Sequence, residues 1–145
     1  MKKVIVLSGI PGCGKTWSRE NSPELSALPF IDIADIYRIH EEKFPGYEPL
    51  DWCTATLKLL RLVREILPQK NVVVVEGCFL EGRPSRNLLK EDARVGGYAL
   101  EFVDIVADPE VCHQRILDQF EAKEIDWPTA NTRLTILTSI TGGKE

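Results

Sequence analysis

Short apolar runs alternate along the chain with longer stretches in which apolar residues recur every three or four positions. Val4-Ile5-Val6-Leu7 and Val72-Val73-Val74-Val75 are unbroken apolar runs, as expected of central parallel strands covered on both faces. Phe30–Ile33 and Leu100–Val106 are broken by Asp32, Glu101 and Asp104, which suits strands nearer an edge. The intervening segments read as helices. The first runs from Thr16 to about Asn21, where Ser22-Pro23 stops it. The second covers Asp35–Glu42 and is closed by Phe44-Pro45-Gly46. In Asp51–Leu67, Leu57, Leu60, Val63 and Leu67 recur at helical spacing opposite Lys58, Arg61, Arg64 and Glu65. Pro84–Arg94 follows the third strand. Asp108-Pro109 opens a further helix as N-cap and first residue, running to about Phe120. Trp127-Pro128 opens the last, to about Ile140, and Gly142-Gly143 let the tail fray.

One stretch punctuates this pattern with chemistry. Gly9-Ile10-Pro11-Gly12-Cys13-Gly14-Lys15-Thr16 satisfies G-x-x-x-x-G-K-[ST] without a mismatch, directly after the first predicted strand. In such a loop the glycines let backbone N–H groups fold inward around phosphate oxygens, which makes Gly9, Pro11, Gly12, Cys13, Gly14, Lys15 and Thr16 the candidate nucleotide-binding residues. Lys15 then reaches the β- and γ-phosphates, and the Thr16 hydroxyl holds Mg²⁺. A nucleoside triphosphate, with ATP and Mg²⁺ as the working pair, is the expected ligand. With repeated β-α units behind it, the loop implies a P-loop NTPase-like, three-layer α/β/α domain. Its parallel sheet has four or five strands, and residues 1–145 form a single domain. The polar residues 121–127 lie between two helices and are the candidate lid.

Bulk properties narrow the class. No apolar run approaches the roughly 20 residues of a membrane span, so no membrane partner is expected. Cys13, Cys53, Cys78 and Cys112 are widely spaced with no C-x-x-C pair, and only two histidines occur. That favours neither a disulfide framework nor a zinc site and makes the cytoplasm the default compartment. Nothing points to a protein partner. The net charge of −4 argues against a general nucleic-acid coat, although residues 58–94 carry eight Lys/Arg against five Asp/Glu. That local excess leaves room for a polyanionic ligand.

A phosphate loop alone predicts binding. Neither N-K-x-D nor D-x-x-G occurs, which removes the usual GTP switches, and the chain is short for a mechanochemical ATPase. A small kinase remains. Strands of a parallel sheet end on one edge, so an acid leaving strand two faces the γ-phosphate. Asp35 and Arg38, three apart at a helix start, share a face there. Asp35 is the candidate general base and Arg38 the candidate grip on an acceptor phosphate. Strand three ends in Val75-Glu76, where a carboxylate would meet the Mg²⁺ water shell. Arg83, Arg86, Lys90 and Arg94 recur every three to four residues, predicting a basic helix face beginning beside the acceptor cleft. Arg83 and Arg86 are the candidate contacts to acceptor phosphates.

The opening Met-Lys-Lys strand, the Gly-x-Pro-Gly-x-Gly-Lys-Thr loop and the Asp35-Ile36-Tyr37-Arg38 string together resemble the 5′-kinase domain of bacteriophage polynucleotide kinase–phosphatase. The resemblance spans nearly the whole chain. It implies an ATP-dependent kinase acting on the 5′-hydroxyl of a polynucleotide, with Lys15, Asp35, Arg38 and a lid arginine, Arg115, as catalytic residues. No Asp-x-Asp phosphatase signature appears, and Glu76-Gly77 replaces the family's Asp followed by a hydroxyl residue. Two alternatives stand beside this expectation. One is a small-molecule kinase acting on a nucleoside, nucleotide, modified base or antibiotic hydroxyl. The other is a nucleotide-binding module without turnover.

Overall fold

The computed structural model describes residues 2–48 and 50–141; Gly142-Gly143 lie outside them. Four parallel strands, β1 (Lys3–Ser8), β2 (Phe30–Asp32), β3 (Val72–Gly77) and β4 (Ala99–Asp104), form one sheet in the order β2-β3-β1-β4. The unbroken runs hold the two central places and the polar-interrupted runs the two edges, as their patterns predict. β2 and β4 are shorter than their apolar stretches: Ile33 begins a helix, and Ile105 leaves the sheet after Asp104.

The direction in which the chain moves across the sheet reverses at β2. The first connection, α1 (Lys15–Glu20) and α2 (Pro23–Ser26), carries the chain outward past β3 to β2. The later ones, α3 (Ile33–Lys43) with α4 (Trp52–Lys70) and then α5 (Pro84–Gly96), carry it back across the sheet to β4. Right-handed crossovers therefore put α1–α2 on one face and α3, α4 and α5 on the other. The switch point between β1 and β3 is where such sheets bind ligands. Val4, Val6, Val73 and Val75 pack with Ile33, Ile36, Leu59, Leu60, Val63 and Leu89 into the main core on the α3–α5 face. A second cluster joins Cys13, Cys112, Ile116, Ala130 and Leu137 beyond the strand ends. It fastens α6 (Pro109–Glu121) and α7 (Trp127–Thr141) to the phosphate loop.

Several boundaries move for identifiable reasons. Ser22-Pro23 ends α1 and also starts α2, with the Ser22 hydroxyl accepting from Leu25 N–H at 3.2 Å. α3 starts two residues before Asp35 because Asp32 is its cap, accepting Ala34 N–H at 2.9 Å. α4 continues through Pro68, whose missing N–H costs one bond in the final turn. Lys2 Nζ then donates to Leu67 O at 2.8 Å, and Asn71 closes the helix at φ 65°. On α4, Leu57 is 56% exposed, and its expected place in the buried stripe belongs to Leu59 with Ala55.

Candidate functional site

The loop from Gly9 to Thr16 joins the end of β1 to α1 at the switch point. Gly12 has φ 80° and lies against α6 so closely that a Cβ would come within 2.6 Å of the Cys112 carbonyl oxygen. Only glycine fits there. Lys15 lies over its own loop, with Nζ donating to Gly9 O at 2.7 Å and Ile10 O at 3.2 Å, and Cys13 Sγ 3.7 Å away. Thr16 is exposed at the start of α1. Beside the loop a cleft of about 370 Å³ opens between Ser8–Ile10 and Asp104–Ala107.

Arg115 comes to this loop from α6. Its Nη1 donates to Gly12 O at 3.2 Å, across 103 positions of sequence. The 121–127 segment, the candidate lid, spans the α6–α7 connection. Phe120 and Trp127 meet edge to face at 5.3 Å, and Asp126 caps α7 by accepting Thr129 N–H at 2.8 Å.

The acidic half of the site is built by strand alternation. Ile31 pairs with Val75 and points into the main core, so the next pair, Asp32 and Glu76, points to the α1 side. Glu76 is 1% exposed and lies 3.3 Å from Arg19 Nε, whose guanidinium stacks on Phe30 at 3.5 Å. The two groups are close enough for charge attraction but misaligned for a hydrogen bond, and neither Glu76 oxygen has a hydrogen-bond partner among the described residues. Burial pushes the Glu76 carboxyl above the usual range, Asp32 adds to this, and Arg19 and Lys15 oppose it. Asp32 is also raised, chiefly by burial. The Ala34 N–H opposes that rise, Asp35 adds to it, and Lys15 and Arg133 lower it.

A buried carboxylate with two orphaned oxygens fits the outer shell of a Mg²⁺ that keeps most of its waters. Thr16 and Glu76 are the residues that would serve it. No group of three or more His, Cys, Asp or Glu gathers among the described residues, so phosphate and water would supply the remaining ligands.

Asp35 and Arg38 lie farther out, on the first turns of α3. Their side chains are 55% and 58% exposed and 3.6 Å apart, and Arg38 also pairs with Glu42 at 3.0 Å. Arg83, exposed at the start of α5, lies near enough to Cys78, just past β3, for its charge to act on that thiol. Arg86 departs from the expected basic face. It is 5% exposed, grips Asp104 with two bonds of 2.8 and 3.1 Å, donates to Phe79 O at 2.9 Å and covers the Phe102 ring. Arg94 is paired with Glu91. The four basic residues therefore do not form a continuous positive stripe.

One residue of the site went unread in the sequence. Asp32 looked like an edge-strand interruption, though flanking Ile31 and Ile33 already implied the opposite face.

Comparison with solved structures places this geometry among relatives of shape. A candidate kinase from Chloroflexus aurantiacus J-10-fl superposes with TM-score 0.68 at 16% identity, over 91% of this chain and 74% of that one. A gluconokinase from Sinorhizobium meliloti 1021 gives TM-score 0.58 at 25% identity, over 93% of this chain and 73% of that one. The fold is that of P-loop kinases. No protein-family model matches the chain, and no curated protein does. The neighbours do not single out the polynucleotide kinases. Among the described residues, no helix is long and apolar enough to cross a membrane.

Proposed function

We propose that this protein is an ATP- and Mg²⁺-dependent kinase that phosphorylates a hydroxyl group of a small molecule. The observation that carries the reading is the convergence of Lys15 and Arg115 on the phosphate loop with the Asp32–Glu76 pair facing it. The order of charges gives the site a direction. Lys15 acts on both Glu76 and Asp32, and Asp35 acts on Asp32 from one turn farther out. The donor phosphates belong at the loop and the acceptor hydroxyl at Asp35.

In the transfer, the acceptor oxygen attacks the γ-phosphorus, the bond to the β–γ bridging oxygen breaks, and ADP leaves. Asp35 takes the hydroxyl proton. Its carboxylate is exposed to an incoming acceptor, whereas Asp32 already accepts the Ala34 N–H. Arg115 offers positive charge where the γ-phosphoryl group passes. Mg²⁺, when bound, neutralises charge on the β- and γ-oxygens. Glu76 and Thr16 would orient its water shell.

A small acceptor is favoured over a polynucleotide on two grounds. The expected basic face loses Arg86 to Asp104 and Arg94 to Glu91, and Arg38 is compensated by Asp35 and Glu42. The gluconokinase neighbour supports a hydroxylated small molecule. ADP release should be measured with polyols, aldonic acids, nucleosides and 5′-hydroxyl oligonucleotides. Turnover of a small acceptor is expected. Turnover of oligonucleotides alone would return the acceptor to the polynucleotide reading, and ATP binding without any transfer would leave a nucleotide-binding module.

A further inference from the structure

Helix α1 runs against the usual sorting of side chains. In Lys15-Thr16-Trp17-Ser18-Arg19-Glu20 a tryptophan is expected inside and an arginine outside. The structure has the reverse: Trp17 is 69% exposed and Arg19 8%. An arginine turned inward loses hydration, so groups on the sheet must compensate it. Two do. Its guanidinium lies 3.5 Å over the ring of Phe30, which opens β2, and its Nε comes within 3.3 Å of Glu76 Oε2 on β3.

A buried pair of this kind is a weak device for stability, since apolar residues of similar volume often serve as well. Where this chain uses an arginine to hold the fold, the pair is closed. Arg86 grips Asp104 with two bonds of 2.8 and 3.1 Å and also donates to Phe79 O. Arg19 and Glu76 close nothing. Arg19 Nε and both Glu76 oxygens lack hydrogen-bond partners among the described residues, although Glu76 is 1% exposed. Charge attraction claims no lone pair, so the carboxylate is held while its oxygens stay free. Arg19 follows Thr16 by three positions and Lys15 by four. At helical spacing, the helix that carries the loop's lysine and hydroxyl therefore also carries the group that holds Glu76.

We infer that Arg19 is a positioning residue for the metal site. With its plane braced on Phe30, it holds the Glu76 carboxylate in place by charge and leaves both oxygens to accept hydrogen bonds from water on Mg²⁺. It acts through Glu76 and needs no contact with the nucleotide. This deepens the kinase reading and rests on it for the identity of the cation.

The test is calorimetric binding of a non-hydrolysable ATP analogue to the full chain, with Mg²⁺ and without it. The readout is the gain in affinity that Mg²⁺ brings. Arg19→Gln should cut that gain about tenfold, with the metal-free affinity kept. Arg19→Lys keeps the charge but not the plane and should recover part of it. Phe30→Leu, at an exposed position, removes only the brace and should cut the gain about threefold. In a Glu76→Gln background neither Arg19→Gln nor Phe30→Leu should subtract anything further, a coupling that general loosening of the fold would not produce. Should Arg19→Gln fail to fold, the Phe30→Leu measurements in the two backgrounds decide alone. An unchanged gain in these variants overturns the inference, as does an additive loss in the Glu76→Gln background. So does a metal-free affinity that falls in step, or a parent chain in which Mg²⁺ brings no gain. ADP release with ATP is read separately. The expected coupling without ADP release from any acceptor leaves Arg19 standing and sinks the kinase reading. ADP release with a gain indifferent to Arg19 does the opposite.

Discussion

Asp32 and Glu76 occupy the last paired position of the β2–β3 ladder, and Asp32 adds to the burial that already raises the Glu76 carboxyl. Two acids face the same side of a sheet, and the inner one has no hydrogen-bond partner among the described residues. The charged groups acting on Glu76 are Arg19 from α1, Lys15 from the loop and Asp32 from β2. In the unliganded protein this arrangement opposes ionisation. In the working site the same ionised carboxylate is what a hydrated divalent cation requires.

The pH dependence follows with a definite sign. The folded chain holds a proton on Glu76 at pH values where the unfolded chain, near the ordinary 4.5, has released it. Stability from this group is therefore fully present below about pH 4.5 and falls as pH rises through the raised folded value. Thermal melts of the unliganded protein should show that decline, and Glu76→Gln should flatten it without removing the share due to Asp32. At pH values below the raised folded value of Glu76, binding of Mg²⁺ with an ATP analogue should release protons, read by calorimetry in buffers of different ionisation enthalpy, and Glu76→Gln should reduce that release. An unchanged melt profile and proton count in the variant would remove Glu76 from the metal site.

Asp32, at the end of β2, and Asp35, on α3, should separate by kind of defect. Asp35→Asn is expected to lower kcat by about 10²–10⁴ with nucleotide affinity kept, because it removes the proton acceptor alone. Asp32→Ala also removes the cap of α3 and should cost about 1 kcal/mol of stability as well as activity. If Asp35→Asn retains full kcat while Asp32→Asn, which can still cap the helix, loses it, the base is Asp32.

The order and placing of the strands were legible because continuous and interrupted apolar runs differ physically. A central strand is covered on both faces, whereas an edge strand tolerates Asp32, Glu101 or Asp104. The phosphate loop was legible because its function is carried by local backbone geometry. Contacts made at long range were not legible. Arg86 lies at regular spacing with Arg83, Lys90 and Arg94, yet its partner Asp104 is on a strand 18 positions away. That partner turns the side chain inward. Ser22-Pro23 was read only as a stop because the same two residues that end one helix can cap and begin the next. α7 reaches the phosphate loop only through its packing onto Ile10 and Cys13, which no local pattern encodes.

Arg115 and Lys15 should differ in what they do to nucleotide binding. Lys15→Ala is expected to abolish transfer. Arg115→Ala should lower kcat by about 10³–10⁵ if its charge acts on the moving phosphoryl group. Its effect on nucleotide affinity should be smaller, because its bond among the described residues is to the Gly12 carbonyl and leaves the loop N–H groups untouched. Single-turnover and equilibrium binding measurements separate the two terms. Equal losses in both would make Arg115 a ground-state nucleotide contact.

Arg86 offers the sharpest contrast between a basic residue that binds substrate and one that holds the fold. Its guanidinium makes three bonds, two to Asp104 and one to Phe79 O, and lies 3.9 Å over the Phe102 ring. It holds the Asp104 carboxyl below the usual range and ties the start of α5 to the end of β4. Arg86→Ala strands the buried Phe79 carbonyl and opens a gap above Phe102, while Asp104, half-exposed, regains water. The cost should be about 2–3 kcal/mol, a fall of roughly 5–10 °C in melting temperature for a domain of this size. Lysine cannot reproduce the fork, so Arg86→Lys should recover less than half of that. Below the melting range, the acceptor KM of Arg86→Ala should equal that of the parent. An unchanged melting temperature with a raised KM would instead put Arg86 in the acceptor site and restore the basic face read from the sequence.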